Sequence, residues 1–240
     1  MNEREIRALK ALEGFGDPAC FEQMAQAIRR GSAELICVQD DAVLLRQRNE
    51  GFYMIACAPV RLEAILARIP ADAEDVMLHG TWPEATVERV RAAMGLTDVE
   101  PYVMYAYYGE CPPEDTQFDM RPLDAGDLDF VYVNYGHGSY DYVKQRLESG
   151  TMIGAYVDGA LAGFIGEHAA GAMGLLHVMP EYRRHHLGYA LERADLRRTM
   201  LAGNTPFCQV DPANEASHRL QERLGLTRSK GRVYWLSGRA

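Results

Sequence analysis

The chain has 240 residues, 48% hydrophobic and 25% charged, which is enough to bury one large core or two ordinary ones and excludes a peptide, a fibre or a disordered chain. Its 25 basic and 34 acidic residues leave a net charge of −9, so a general polyanion binder is excluded and any phosphate site must be local. Five cysteines lie far apart with no CxxC pair, which points to reduced thiols and to neither a disulfide frame nor a zinc knuckle. The opening MNEREIRALK is charged where a signal peptide needs a basic and then an apolar stretch, and the apolar run over residues 54–60 is far too short to span a membrane. A soluble, cytoplasmic protein without a membrane partner is expected.

Residues 3–13 and 17–30 read as helices, the second with Asp17 at its N-cap, Pro18 in its first turn and Gly31 past its end. Three β-rich runs at 34–39, 42–48 and 52–58 are separated by turn-forming clusters and predict an antiparallel meander. A helix at 61–68, a strand at 75–79, a helix at 83–94 stopped by Gly95, and a Tyr-rich strand at 101–108 follow. The stretch ECPPEDTQ, residues 110–117, has two prolines, three acids and no apolar periodicity. It suggests a boundary between domains 1–113 and 114–240.

Beyond it the order restarts: a strand at 118–123, helices at 126–134 and 141–148, and strands at 152–157 and 161–167 flanking Asp158-Gly159, a strong hairpin signal. A strand at 173–179, a long helix from 186 to about 201, a strand at 207–211, a helix at 214–224 and a strand at 232–236 complete the chain. The expected fold class is α/β, a mixed central sheet flanked by helices, in two tandem and similarly wound halves.

The segment LLHVMPEYRRHHLGYAL carries the most chemistry. Leu187, Ala190, Leu191 and Ala194 form one apolar helix face, so a strand runs through an arginine-bearing loop directly into a helix N-terminus. Free amides and the positive end of the helix dipole suit an anion there; Gly188 admits close approach, and Arg183 and Arg184 add charge-assisted contacts. At Val178, Pro180, Arg183, His186 and Gly188 the sequence resembles the GNAT superfamily of acyl-CoA-dependent N-acyltransferases, whose signature is Gln or Arg, two residues, Gly, one residue, then Gly or Ala. The stretch QVDPANEASHRLQERLGL is similar to that family's later strand and Asn-led helix. The run GAMGLLHVMPEYRR also looks like bacterial relatives of glycine N-acyltransferase, which join a degenerate N-terminal half to a working C-terminal one.

The resemblance implies direct attack by the amine of a small molecule or amino acid on acetyl-CoA or another acyl-CoA; no metal is expected, because His185 and His186 are adjacent on a loop without an acidic partner, and no nucleic acid, because the chain is acidic and lacks an aromatic-basic platform. It implies that the diphosphate lies on Arg183, Arg184, His185, His186, Leu187, Gly188 and Tyr189. The pantetheine arm would pair with the backbone near Leu176 and Val178 and touch Asn214 and Ser217, and an N–H near Val178 would polarise the thioester oxygen.

The sequence departs from the family at His186, where a glycine is usual; at Ala172 and Gly174, where relatives carry a catalytic Glu or His; and at Gln221, where a proton-donating tyrosine is common. Glu167 and His168, at the end of the preceding strand, are the replacement candidates for the base. His177, at odd spacing from Ala172, is expected on the opposite face, Cys208 is expected to be a buried inert thiol, and some of Tyr132, Tyr135, Tyr140 and Tyr142 are candidates to wall the acceptor site. A catalytically impaired acyl-CoA binding module is the alternative.

Overall fold

The computed structural model describes residues 1–239 and divides the chain into two compact units. The first holds Met1–Ala106, Gln209–Glu222 and the chain from Leu226 onward; the second holds Tyr107–Cys208 and Arg223–Gly225. No helix among the described residues is long and apolar enough to cross a membrane.

In the first unit, α1 (Glu3–Gly14) begins in a reciprocal cap between Asn2 and Glu5, and α2 (Pro18–Arg29) follows it. The expected meander is present as β1 (Ala33–Gln39), β2 (Ala42–Gln47) and β3 (Tyr53–Cys57), paired antiparallel. A crossover through α3 (Leu62–Leu66) brings β4 (Val76–Gly80) alongside β3 in parallel, which makes the sheet mixed. Then α4 (Glu84–Met94) stops at Gly95, whose φ of 66° is the left-handed ending that glycine permits, and β5 (Leu96–Ala106) follows.

The last strand of the chain corrects one expectation. Residues to 240 were assigned to the second half, yet β12 (Arg232–Arg239) lies antiparallel between β4 and β5, with Val233 and Leu236 fully buried. Most of α8 (Glu215–Leu224) also belongs to the first unit. The first division, at 106/107, falls close to the expected boundary, but the chain returns. A strand's alternation tells which of its faces is buried and not which sheet buries it. The sheet runs β1-β2-β3-β4-β12-β5-β10, where β10 spans Phe207–Val210, and the short β11 (Thr227–Arg228) pairs with β5 off that path.

The second unit is built on four antiparallel strands in the order β6-β7-β8-β9: Asp119–Pro122, Ile153–Val157, Ala160–Glu167 and Met173–Val178. Asp158 and Gly159 both have positive φ, 50° and 81°, which gives the tight hairpin the dipeptide predicted. On one face, α5 (Leu128–Tyr135) and α6 (Tyr140–Glu148) bury Val131, Val143 and Leu147 against Phe164 and Leu175. On the other, α7 (Leu187–Leu201) packs Leu187 and Leu191 on Ala155, Ala162 and Ile165. Each unit carries a meander that runs through a short 3-10 turn, Pro59–Arg61 or Pro180–Tyr182, into a helix.

Candidate active site

The site is built at the end of β9, and the geometry of that strand decides what faces where. Leu175 has φ 49°, a left-handed backbone rare for a bulky residue, and the pairing of β8 with β9 slips between Phe164 and Gly166. This is a bulge, which adds a residue on one strand and reverses the alternation beyond it. His177 consequently faces the α5–α6 side, where it stacks on Phe164 at 5.6 Å, and so shares the face of Gly174. The expected placement on the opposite face is thereby corrected; regular alternation holds only without a bulge.

As the edge strand of its sheet, β9 leaves backbone groups unpaired on its outer side. Met179 N–H donates to Ala162 O at 2.9 Å, toward β8. Alternation therefore turns the N–H and C=O of Val178 outward. That carbonyl accepts from Arg183 Nε at 3.0 Å, so Arg183 is hooked back on the strand end.

The loop between strand and helix is open. Arg183, Arg184, His185 and His186 are exposed, while Leu187 is buried beneath them. Arg184 (φ 67°) and His186 (φ 64°) are both left-handed, and His186 is the N-cap of α7 with no side chain capping the helix amides. The first amides of α7, those of Leu187, Gly188 and Tyr189, are thus left to an incoming acceptor. The ring of His186, where a glycine is usual in the family it resembles, turns aside, with Nδ1 3.2 Å from Arg223 Nη1. Arg223 also lies over the Tyr189 ring, 4.7 Å from its centroid, and adds a third guanidinium to the loop that the local sequence pattern did not contain.

The two candidate bases point apart. Glu167 is buried on the α7 side, where Arg198 Nη2 reaches it at 3.4 Å and Asp195 at 2.7 Å. It is an ion-paired interior carboxylate. His168, one residue on, faces α6: its Nδ1 lies 2.6 Å from Tyr142 Oη, and the two rings stack. A Cβ built on Gly174 would collide with His168 Nε2. The imidazole therefore fills the space above β9 that a side chain at position 174 would take. Burial, with a smaller contribution from the Arg146 charge, lowers its pKa to about 4, so the ring is neutral at pH 7.

A family model for FR47-like proteins matches residues 152–236, which spans β7 to β12. Among curated proteins none matches the sequence. A GCN5-related N-acetyltransferase from Kribbella flavida superposes with a TM-score of 0.57 at 14% identity, covering 100% of this chain and 97% of that one. An acetyltransferase from the GNAT family of Colwellia psychrerythraea gives 0.53 at 12%, covering 99% and 97%. A tandem GNAT protein from the clavulanic acid biosynthesis pathway gives 0.50 at 16%, covering 98% and 95%. The fold is that of the GNAT acetyltransferases. At these identities the likeness is one of fold.

Within this GNAT fold the remaining candidates fall as follows. Asn214 and Ser217 lie in the first unit, where Asn214 Oδ1 accepts from Ser217 N–H at 3.0 Å and caps α8. Gln221 is buried in that unit as well. Cys208 is buried and its thiol is pushed well above the usual range, chiefly by desolvation. Of the tyrosines, Tyr142 reaches the imidazole; Tyr132 and Tyr140 pack edge to face at 5.2 Å, Tyr140 donates to Asp129 at 2.9 Å, and Tyr135 packs on His137.

Proposed function

We propose that this protein transfers an acyl group from acetyl-CoA or another acyl-CoA to the amine of a small molecule or amino acid by direct attack. The observation that carries the reading is the open turn between β9 and α7: an uncapped helix N-terminus, two left-handed residues and exposed arginines beside an edge strand. Such a turn fits a diphosphate, and an outward strand edge fits the amides of a pantetheine arm. Arg183, Arg184, His185 and His186, with the amides of Leu187, Gly188 and Tyr189, would hold the coenzyme's phosphates, and the backbone at Leu176 and Val178 its arm. When bound, the coenzyme supplies the activated thioester.

The chain's own residues account for the rest. The outward Val178 N–H is the donor for the thioester oxygen as charge develops there. With Nδ1–H donating to Tyr142 Oη, His168 Nε2 presents a lone pair above Gly174 and takes the amine proton as the new bond forms. Glu167, locked with Arg198, supports the α7 side of the sheet. The coenzyme thiolate leaves without an acid, so the absence of a tyrosine at Gln221 is tolerated.

Coenzyme A present at about 100 times its dissociation constant should stabilise the fold by about 2.7 kcal/mol, read as a rise in Tm. Arg183→Glu should abolish that rise while leaving the unliganded Tm close to that of the parent. An undiminished rise in the variant would place the coenzyme elsewhere and overturn the reading.

A further inference from the structure

Arg146 is the feature of the second unit that the reading above leaves without a use. On α6 it lies four residues after Tyr142, hence on the same helical face. Its guanidinium carbon sits 5.7 Å from the Tyr142 ring centroid, and the His168 ring lies 6.1 Å from that same centroid. Cation, phenol and imidazole form one contiguous group beside β9.

What distinguishes this arginine is a buried guanidinium nitrogen with no acceptor. In the same unit Arg121 pairs with Asp119, Arg193 with Asp115, and Arg198 with Asp195 and Glu167. Lys144, on the same helix, pairs with Glu148. Arg146 has no carboxylate partner among the described residues, and its Nε is buried without any hydrogen bond. A buried donor left without an acceptor is costly, and more so on a charged group. The position in the last turn of α6 favours a positive charge through the helix dipole, but the dipole offers Nε no acceptor. The charge is also felt at the imidazole, where it opposes protonation.

We propose that Arg146 is a specificity residue that binds a carboxylate on the acceptor, so the preferred amines are amino acids or other amino-carboxylates and not neutral amines. This rests on the acyl-transfer reading, because it places the acceptor's amine at His168. The planar fork of a guanidinium suits a carboxylate in two-point contact, and the anion would supply the partner that the protein withholds.

The test measures acceptor binding directly, so it does not depend on turnover. Glycine, β-alanine and γ-aminobutyrate are titrated against their amides, with coenzyme A present, and followed by the NMR signals of the His168 ring. At least one acid should bind about tenfold or more tightly than its amide, the range of a hydrogen bond to a charged group. Arg146→Met should bring that ratio close to one, and Arg146→Lys should keep part of it. Equal affinity for acids and amides, no binding of either, or a preference that survives Arg146→Met would overturn the proposal. The parallel titration of coenzyme A reports on the other reading: acids that bind while coenzyme A itself shows no binding would sink acyl transfer and leave the carboxylate site standing.

Discussion

Two desolvated imidazoles give the molecule a pH dependence that can be signed at the level of single residues. His168 and His79 each have a pKa lowered from 6.5 to about 4, in both cases chiefly by burial. The Nδ1 of His79 faces the carbonyl of Cys20 at 2.9 Å, so its proton sits there and the neutral ring is the folded form. An unfolded chain takes up these protons near pH 6.5 and the folded one only near pH 4. The stabilisation is therefore complete above pH 6.5 and is lost as the pH falls toward 4, by about 3 kcal/mol per ring. Urea unfolding should give a flat stability from pH 8 to 6.5 and a decline below it, with a shallower decline in His168→Gln. A stability unchanged between pH 7 and 5 would contradict the burial of both rings. The same low pKa means that kcat/KM should rise with pH along the acceptor's own ammonium titration, with no inflection near 6.5.

The strand, turn and helix from β9 to α7 form the element on which the site depends, and it was legible in part. Its anion-binding character came from local spacing, because amides, arginines and Gly188 sit within a few residues of one another. The bulge at Leu175 was not legible: a Leu-Leu pair carries no mark of positive φ, and without the bulge the facing of His177 was read with the wrong parity. Nor could the sequence show His168 lying over Gly174, since the empty position and the ring that fills it are six residues apart around a turn. Arg223 and Arg146 were missed because both join the site from other helices. His186 stands where the turn demands left-handed backbone, which β-branched residues tolerate poorly. His186→Val should cost about 1–2 kcal/mol in stability and weaken coenzyme binding, measured by denaturation and by thermal shift. An unaltered Tm and affinity would mean that the turn does not hold that shape in solution.

For the whole molecule, the governing fact is that β12 pairs on both sides within the first unit. The order of elements along the chain was read correctly, but membership was not, since strand partners are a property of the sheet and leave no trace in the strand. A fragment of residues 1–113 would expose the inner edges of β4 and β5 and lack Val233 and Leu236 from its core. It should be aggregated or poorly dispersed by NMR, and co-expression with residues 114–240 should restore a soluble pair. A well-folded 1–113 fragment would show the inserted strand to be dispensable.

The insertion also sets a timetable. On the ribosome β4 and β5 emerge before the second unit, yet the gap between them stays open until that unit has been synthesised and β12 follows it. Closing it joins segments far apart in the sequence, the kind of long-range step that slows folding and leaves strand edges open to strangers. The sheet begun before the second unit is therefore completed only after it, and its unfilled gap is where a chaperone or a misplaced neighbour would engage the nascent chain.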